Sequence, residues 1–200
     1  MTAAVIASLA RFLTGARAHW HGCAPEPRLR VYFANHTSNL DFVLLWASLP
    51  AELRRSTRPV GAQDYWLGGM VREYLAQHVF RAVLIERRVV TKANNPLVPM
   101  LAALGSGESL IIIPEGTRNP DGEVNDFRPG LFHLAKARPD VEFIPVFIDN
   151  LNRVLPKGEI LPVPILCSVR FGAPVALKTG EMKPQFLTRA REALLALRPQ

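Results

Sequence analysis

A histidine and an aspartate stand five residues apart in Asn35-His36-Thr37-Ser38-Asn39-Leu40-Asp41, directly after one apolar run and directly before another. On one continuous helix five residues turn through about 500°, which would leave the two side chains on different faces. They meet only if His36 lies in a turn and Asp41 in the first turn of the helix that follows. A carboxylate there has two available roles. Ser38-x-x-Asp41 ahead of apolar residues is a capping-box pattern, with Ser38 as N-cap and Asp41 favoured by the helix dipole. Capping leaves the histidine unexplained. The same carboxylate can accept a hydrogen bond from one imidazole nitrogen and leave the other to remove a proton, the orienter and base of a triad without a protein nucleophile.

A second polar cluster follows the apolar run Ser109 to Ile113: Pro114-Glu115-Gly116-Thr117-Arg118. Pro-Glu-Gly suits a type I turn with Pro114 at its second position and Gly116 at its fourth, and Asn119-Pro120-Asp121-Gly122 is another turn signal. An ordinary surface loop would read the same way. Residues 115–129, however, form a long polar connection in an otherwise compact pattern, and connections of that length tend to be functional. Gly116 permits close backbone approach, and Arg118 presents a fork of donors that fits phosphate. The cluster His19-x-His21-x-Cys23 has metal-ligand residue types but no second ligand set and none of the usual structural-zinc spacing, so no metal is expected. Cys23 and Cys167 form no disulfide framework and are expected to be reduced.

The elements that must position these clusters alternate between strand and helix. Strands are predicted over 29–34, 58–62, 81–87, 109–113, 141–148 and 165–171. Helices are predicted over 41–49, from Asp64 to about His78 with a weak middle at Gly68-Gly69, over 96–104, 131–138 and 183–197. Such alternation favours an α/β fold: a single domain with a central mostly parallel or mixed sheet flanked by helices. Polar clusters at the carboxyl ends of strands are where such sheets place their chemistry. Residues 1–28 are set apart as an N-terminal helical segment, with Ile6, Leu9, Leu13 and Trp20 on one face, fit either to dock on the domain or to lie on a bilayer. Residues 29–200 form the main domain.

The 200 residues, 48% hydrophobic and 20% charged, suit one folded domain and exclude a disordered chain. The longest uncharged stretch, Ala93 to Gly107, has fifteen residues and two prolines, short of a membrane span. Arg11 and Arg17 follow the apolar residues 3–10, unlike the order in an export signal. A cytoplasmic protein that meets a membrane peripherally is therefore expected. The net charge of +7 favours anionic partners without choosing among them. No nucleic-acid signature occurs, and the aromatics are not interleaved with basic residues as a stacking platform requires, so no nucleic-acid partner is expected.

Taken in order, the motifs resemble the glycerolipid acyltransferases, of which the lysophosphatidic acid acyltransferases are the best-known members. The first family block, Asn-His-x-Ser-x-x-Asp, is met by Asn35, His36, Ser38 and Asp41. The third, Phe-Pro-Glu-Gly-Thr-Arg, is met by Pro114 to Arg118 with Ile113 in place of the aromatic. The second resembles Val83 to Arg87 and the fourth Ile144-Pro145-Val146, while Phe127-Arg128-Pro129-Gly130 matches the Phe-Lys-x-Gly that commonly follows the third. The resemblance spans 29 to about 148, and the remaining residues carry no assigned motif.

It implies transfer of a fatty acyl group from acyl-CoA or acyl carrier protein to the hydroxyl of lysophosphatidic acid, or of another lysolipid or an aminolipid. A thioester is already activated, so no cofactor, metal or ATP is required. Imidazole, with an ordinary pKa of about 6.5, suits deprotonating a hydroxyl and then protonating a thiol. On this reading His36 is the base and Asp41 its orienter. Arg87 and Arg118 hold the acceptor phosphate, Gly116 and Thr117 shape the approach, and Glu115 orients an arginine or accepts from a substrate hydroxyl. Residues 42–49 with Tyr65-Trp66 contribute an acyl groove, and Arg54, Arg55 and Arg58 are either head-group contacts or a solvated face. Two other classes compete. A serine or cysteine hydrolase lacks its Gly-x-Ser-x-Gly elbow here, and both cysteines lie outside the motif loops. A non-catalytic basic membrane-binding module would be indifferent to loss of His36.

Overall fold

The computed structural model describes residues 2–38, 40–87, 91, 94–119, 123–149 and 167–199. Seven strands form one sheet: β1 (Arg17–Trp20), β2 (Arg30–Ala34), β3 (Thr57–Ala62), β4 (Val83–Ile85), β5 (Ser109–Ile112), β6 (Glu142–Asp149) and β7 (Ser168–Phe171). Their order is β1-β7-β6-β2-β5-β3-β4, every pairing parallel except β6 with β7. The sheet is mixed and flanked by helices, as the alternating pattern predicts. β2 and β5 are buried at every residue, which is why their sequences are nearly continuous apolar runs rather than alternating ones. Arg30 is the exception in type. It is 2% exposed, and its guanidinium donates to Glu142 at 2.8 Å, its register partner on β6, and to the Ala24 carbonyl at 2.8 Å.

The helices are α1 (Thr2–Thr14), α2 (Asp41–Ser48), α3 (Ala51–Arg55), α4 (Gln63–Trp66), α5 (Met70–Tyr74), α6 (Leu97–Gly105), α7 (Gly130–Ala137) and α8 (Lys183–Leu195). One sheet face packs on α1 and α2 through Tyr32, Ala34, Ile144, Val146 and Ile148; the other packs on α6, α7 and α8 through Val31, Phe33, Phe143 and Phe147. The helix expected from Asp64 to His78 is broken: α4 ends at Trp66, Leu67 to Gly69 carry no helix, and α5 runs into a π-turn over Leu75–Val79. Two adjacent glycines cost the chain too much backbone entropy for an unbroken helix. Gly61 on β3 is required sterically, since a Cβ there would collide with the Trp66 indole.

The N-terminal segment departs from expectation. Residues 17–20 are a strand, not a continuation of the helix, and β1 pairs with β7 as an edge of the main sheet, so this part of 1–28 is integral to the domain. Trp20 stacks on Phe171 with ring centroids 3.9 Å apart. The face α1 turns inward is Ile6 with Ala3, Ala7 and Ala10, three alanines that let the helix approach closely, while Leu9, grouped with Ile6 from the sequence, is 53% exposed. Of the predicted turns and strands, Asn39, residues 120–122 and residues 165–166 lie outside those described.

Candidate active site

Because β2, β3, β4 and β5 run parallel, their carboxyl ends share one end of the sheet. The registers Phe33 with Ile112, Pro59 with Ile111, and Ala62 with Ile85 bring the segments after β2, β4 and β5 to the same level. His36, Arg87 and residues 114–118 therefore all emerge there.

His36 Nδ1 lies 2.8 Å from Asp41 Oδ2. Asp41 opens α2, is fully buried, and accepts with the same oxygen from the backbone N–H of Thr37 at 2.7 Å and of Ser38 at 2.8 Å; Ser38 Oγ in turn accepts from the Leu40 N–H at 3.3 Å. Only one of the two roles open to this carboxylate is filled as expected: it faces the imidazole, but Ser38 is not the N-cap of a capping box, because α2 is preceded by Leu40 with no side-chain cap and the carboxylate instead ties down the turn before the helix. A carboxylate only accepts, so the proton of the neutral ring is on Nδ1 and the lone pair is on Nε2. The His36 side chain is 20% exposed, which leaves that second nitrogen a route to substrate.

Glu115 has a different place from the one expected of it. It is 2% exposed; Oε1 accepts from the His36 N–H at 2.7 Å and Oε2 from the Asn125 N–H at 2.8 Å. Both oxygens accept from backbone and the Asn125 side chain bonds the same carboxylate, which ties the two motif loops together and pairs with no arginine side chain among the described residues. Burial raises its pKa above the usual carboxylate value, opposed by the hydrogen bonds from Asn125 and His36. The Asn119 N–H donates to the His36 carbonyl at 2.9 Å, so both polar groups of the His36 backbone are held by the second loop. The return of that loop is pinned by the Arg128 N–H on the Pro114 carbonyl at 2.8 Å, by Phe127 edge-on to Phe33, and by Arg191 donating to the Val124 carbonyl.

Gly116 has φ +73°, a left-handed conformation, and a Cβ added there would come within 3.4 Å of Arg128. Gly116, Thr117 and Arg118 are exposed, and Arg118 makes no ion pair among the described residues. Arg87 is instead engaged: its Nε and Nη2 donate to Asp64, each at 3.1 Å, on an exposed surface. The proposed head-group arginines are also placed otherwise. Arg54 donates to the Ala47 and Leu49 carbonyls at the end of α2 and sits over Trp46, while Arg58 pairs with Glu108 at 2.6 Å. Both lie toward the amino ends of the parallel strands, away from His36; Arg55 alone of the three is exposed.

Sequence reasoning gave no role to two residues that build this site. Asn35 is 1% exposed, donates to the Ile148 carbonyl at 3.0 Å and accepts from the Ile148 N–H at 2.8 Å, replacing the ladder where β2 leaves β6. Its signal was an amide placed at the end of a wholly buried strand, where backbone groups must still be paired. Asn125 contributes its backbone N–H and a side-chain hydrogen bond to the Glu115 carboxylate. Cys23 and Cys167 are both free thiols. Among the described residues no group of three or more His, Cys, Asp or Glu side chains converges as a metal site would, and no helix is long and apolar enough to cross a membrane.

A family model described as Acyltransferase matches residues 24–149. Human 1-acyl-sn-glycerol-3-phosphate acyltransferase alpha is 25% identical over 193 residues, covering 94% of this chain and 65% of that protein. The 1-acyl-sn-glycerol-3-phosphate acyltransferase of Limnanthes alba is 24% identical over 173 residues, 86% of this chain and 59% of that protein. The chain thus spans less than two thirds of the length of these relatives. The crystal structure of the 1-acyl-sn-glycerophosphate acyltransferase PlsC from Thermotoga maritima superposes with a TM-score of 0.75 at 21% identity, over 98% of this chain and 77% of that one. With the matched segment running from before β2 to the end of β6 and enclosing both motif loops, the chain belongs to the acyltransferase family.

Proposed function

We propose that the protein transfers a fatty acyl group from a thioester to the free hydroxyl of lysophosphatidic acid, giving phosphatidic acid. The observation that carries this reading is the buried carboxylate of Asp41, 2.8 Å from His36 Nδ1 at the carboxyl end of β2, which leaves the other ring nitrogen for substrate. In the reaction, His36 Nε2 takes the acceptor hydroxyl proton as that oxygen bonds to the thioester carbonyl carbon. The C–S bond then breaks, and the imidazolium returns the proton to the departing thiolate. Asp41 stabilises the transient imidazolium and holds the ring. Arg118 binds the acceptor phosphate; Arg87 joins it by exchanging Asp64 for phosphate. The acyl chain lies along half-buried Phe42 and the partly exposed Leu40, Tyr65 and Leu67, beside the edge-on rings of Phe42, Trp66 and Phe80.

Peripheral membrane contact is part of the proposal, and the outer face of α1 supports it. Val5, Leu9, Phe12 and Leu13 are 61%, 53%, 84% and 44% exposed, a cost in water that a bilayer interface removes. The test is thiol release from a long-chain acyl-CoA and from acyl carrier protein, with and without lysophosphatidic acid, for wild type and His36→Ala. Acceptor-dependent release lost in the variant is expected. Release without acceptor would make the protein a thioesterase. Release only with a different lysolipid or an aminolipid would reassign the acceptor, and no release from either donor would favour a non-catalytic membrane-binding module.

A further inference from the structure

The sheet edge farthest from β4 carries a cationic face that the acceptor chemistry leaves unused. In-register pairing sets Arg17 of β1 beside Ser168 of β7 and His19 beside Arg170; across β7, Ser168 is opposite Asp149 and Arg170 opposite Phe147. Trp20, Val169 and Phe171 turn to the other face, with the core that includes Tyr32. Arg17 and His19 are exposed, and neither the Arg17 nor the Arg170 side chain forms an ion pair or hydrogen bond among the described residues, the Arg17 backbone N–H being held by the Cys167 carbonyl. Arg170 Nε and Ser168 Oγ are buried without a partner. Charge on β1 alone would be ordinary protection of an edge strand. Arg170 lies on an interior strand, where an unpartnered buried donor is a cost that a bound anion relieves.

The position of the cluster selects the anion. β7 begins beside the candidate active site: the Cys167 thiol is pushed up to about 11 by burial first, then by the carboxylates of Asp149 and Asp41. At a strand spacing of about 4.8 Å, β7 lies about 10 Å from β2 and β1 about 14 Å, on the opposite side of β2 from Arg118 and Arg87. The hydroxyl oxygen and phosphorus of a glycerol phosphate are about four bonds, or ~5 Å, apart, too close to bridge from His36 to this edge. A pantetheine arm runs about thirteen bonds from sulfur to phosphorus, ~15 Å when extended, which spans it. We propose that Arg17, His19 and Arg170 bind the phosphate end of a phosphopantetheine thioester whose acyl end reaches His36. This rests on the acyl-transfer reading for its donor and extends it by naming the donor's handle.

The experiment is equilibrium binding of CoA, of pantetheine without phosphate, and of holo and apo acyl carrier protein, to wild type, Arg17→Glu and Arg170→Gln, together with acyl-transfer kinetics on acyl-CoA and on a truncated acyl-N-acetylcysteamine thioester. A loss of about tenfold in CoA affinity and a matching rise in donor KM are expected, the scale of one charge-assisted phosphate contact. Acceptor KM and the rate on the truncated thioester should stay within twofold, and thermal midpoints should match wild type. Cluster-dependent binding of CoA identifies the free coenzyme as the source of the phosphate; cluster-dependent binding only of holo carrier protein identifies the carrier-borne group. Donor binding unaltered in both variants, apo carrier protein binding as well as holo, or a rise in acceptor KM instead, overturns the proposal. Cluster-dependent CoA binding in a wild type that transfers no acyl group would sink the acyl-transfer reading and leave this one standing.

Discussion

Asp41→Asn separates the two jobs that one carboxylate performs. Its Oδ2 takes three donors, the N–H groups of Thr37 and Ser38 and the His36 ring, whereas Oδ1 is 3.4 Å from Thr37 Oγ1. An asparagine can put its oxygen where Oδ2 stands and its NH₂ beside Thr37 Oγ1, which can accept. All three donors keep a partner, and only the charge is lost. Converting charge-assisted bonds to neutral ones costs about 1–2 kcal/mol, or about 2–8 °C in a domain of this size. Asp41→Ala instead orphans the buried Ser38 N–H and the partly buried Thr37 N–H, about 1–3 kcal/mol for the first and less for the second. Turnover should fall further than stability suggests. Unit charges about 4 Å apart at an effective dielectric of about 20 interact by about 4 kcal/mol; with His36 partly exposed, about 2–4 kcal/mol of imidazolium stabilisation is lost, roughly 30- to 1,000-fold in kcat. The assays are thermal denaturation and acyl-transfer kinetics on the same preparations. If Asp41→Asn keeps kcat within about threefold while Asp41→Ala melts far lower, the carboxylate only holds the turn before α2 and the base-and-orienter mechanism is wrong. Equal destabilisation by the two substitutions would refute the three-donor geometry.

Other outcomes follow from neighbouring groups. In Glu115→Gln an NH₂ must face either the His36 or the Asn125 N–H, so kcat should drop more than acceptor KM changes; a KM-only effect would restore Glu115 to substrate binding. Because burial raises the Glu115 pKa, wild-type stability should decline as pH rises from the ordinary carboxylate value toward the raised one, where folding holds the extra proton, and melting from pH 4 to 7 should show that slope reduced in the Gln variant. Glu181 has the opposite sign: Arg189 holds it down to about 2 through contacts of 2.8 and 2.6 Å, so it stabilises above its ordinary pKa and that contribution is lost as pH falls toward 2. Acid denaturation of Glu181→Gln should have a flatter acid limb; an unchanged one would show the pair contributes nothing. Leu9→Asp with Phe12→Asp should abolish sedimentation with anionic liposomes at an unchanged melting point, and retained binding would place the membrane contact elsewhere.

The sequence by itself determined the alternation of strands and helices, because burial on both faces of a parallel sheet demands continuous apolar runs such as 109–113, and these are visible without a partner. It pointed as well to the turns after β2 and β5 as the candidate site, since His36, Asp41 and residues 114–118 are polar interruptions at strand ends. Pairing was decided only in three dimensions. A four-residue strand such as Arg17–Trp20 has too little pattern to announce itself, and only β7 beside it makes it a strand. The bond from Glu115 to the His36 backbone joins residues 79 apart in sequence. A carboxylate that serves a distant N–H looks, in sequence, the same as one that serves a substrate. Exposure was decided there too: Arg54, Arg58, Arg87 and Arg118 are one residue type in sequence, and the fold makes the first a cap for α2, the next two partners of acids, and the last an exposed cation with no ion pair among the described residues, because what a guanidinium does depends on which oxygens the chain brings within about 3 Å of it.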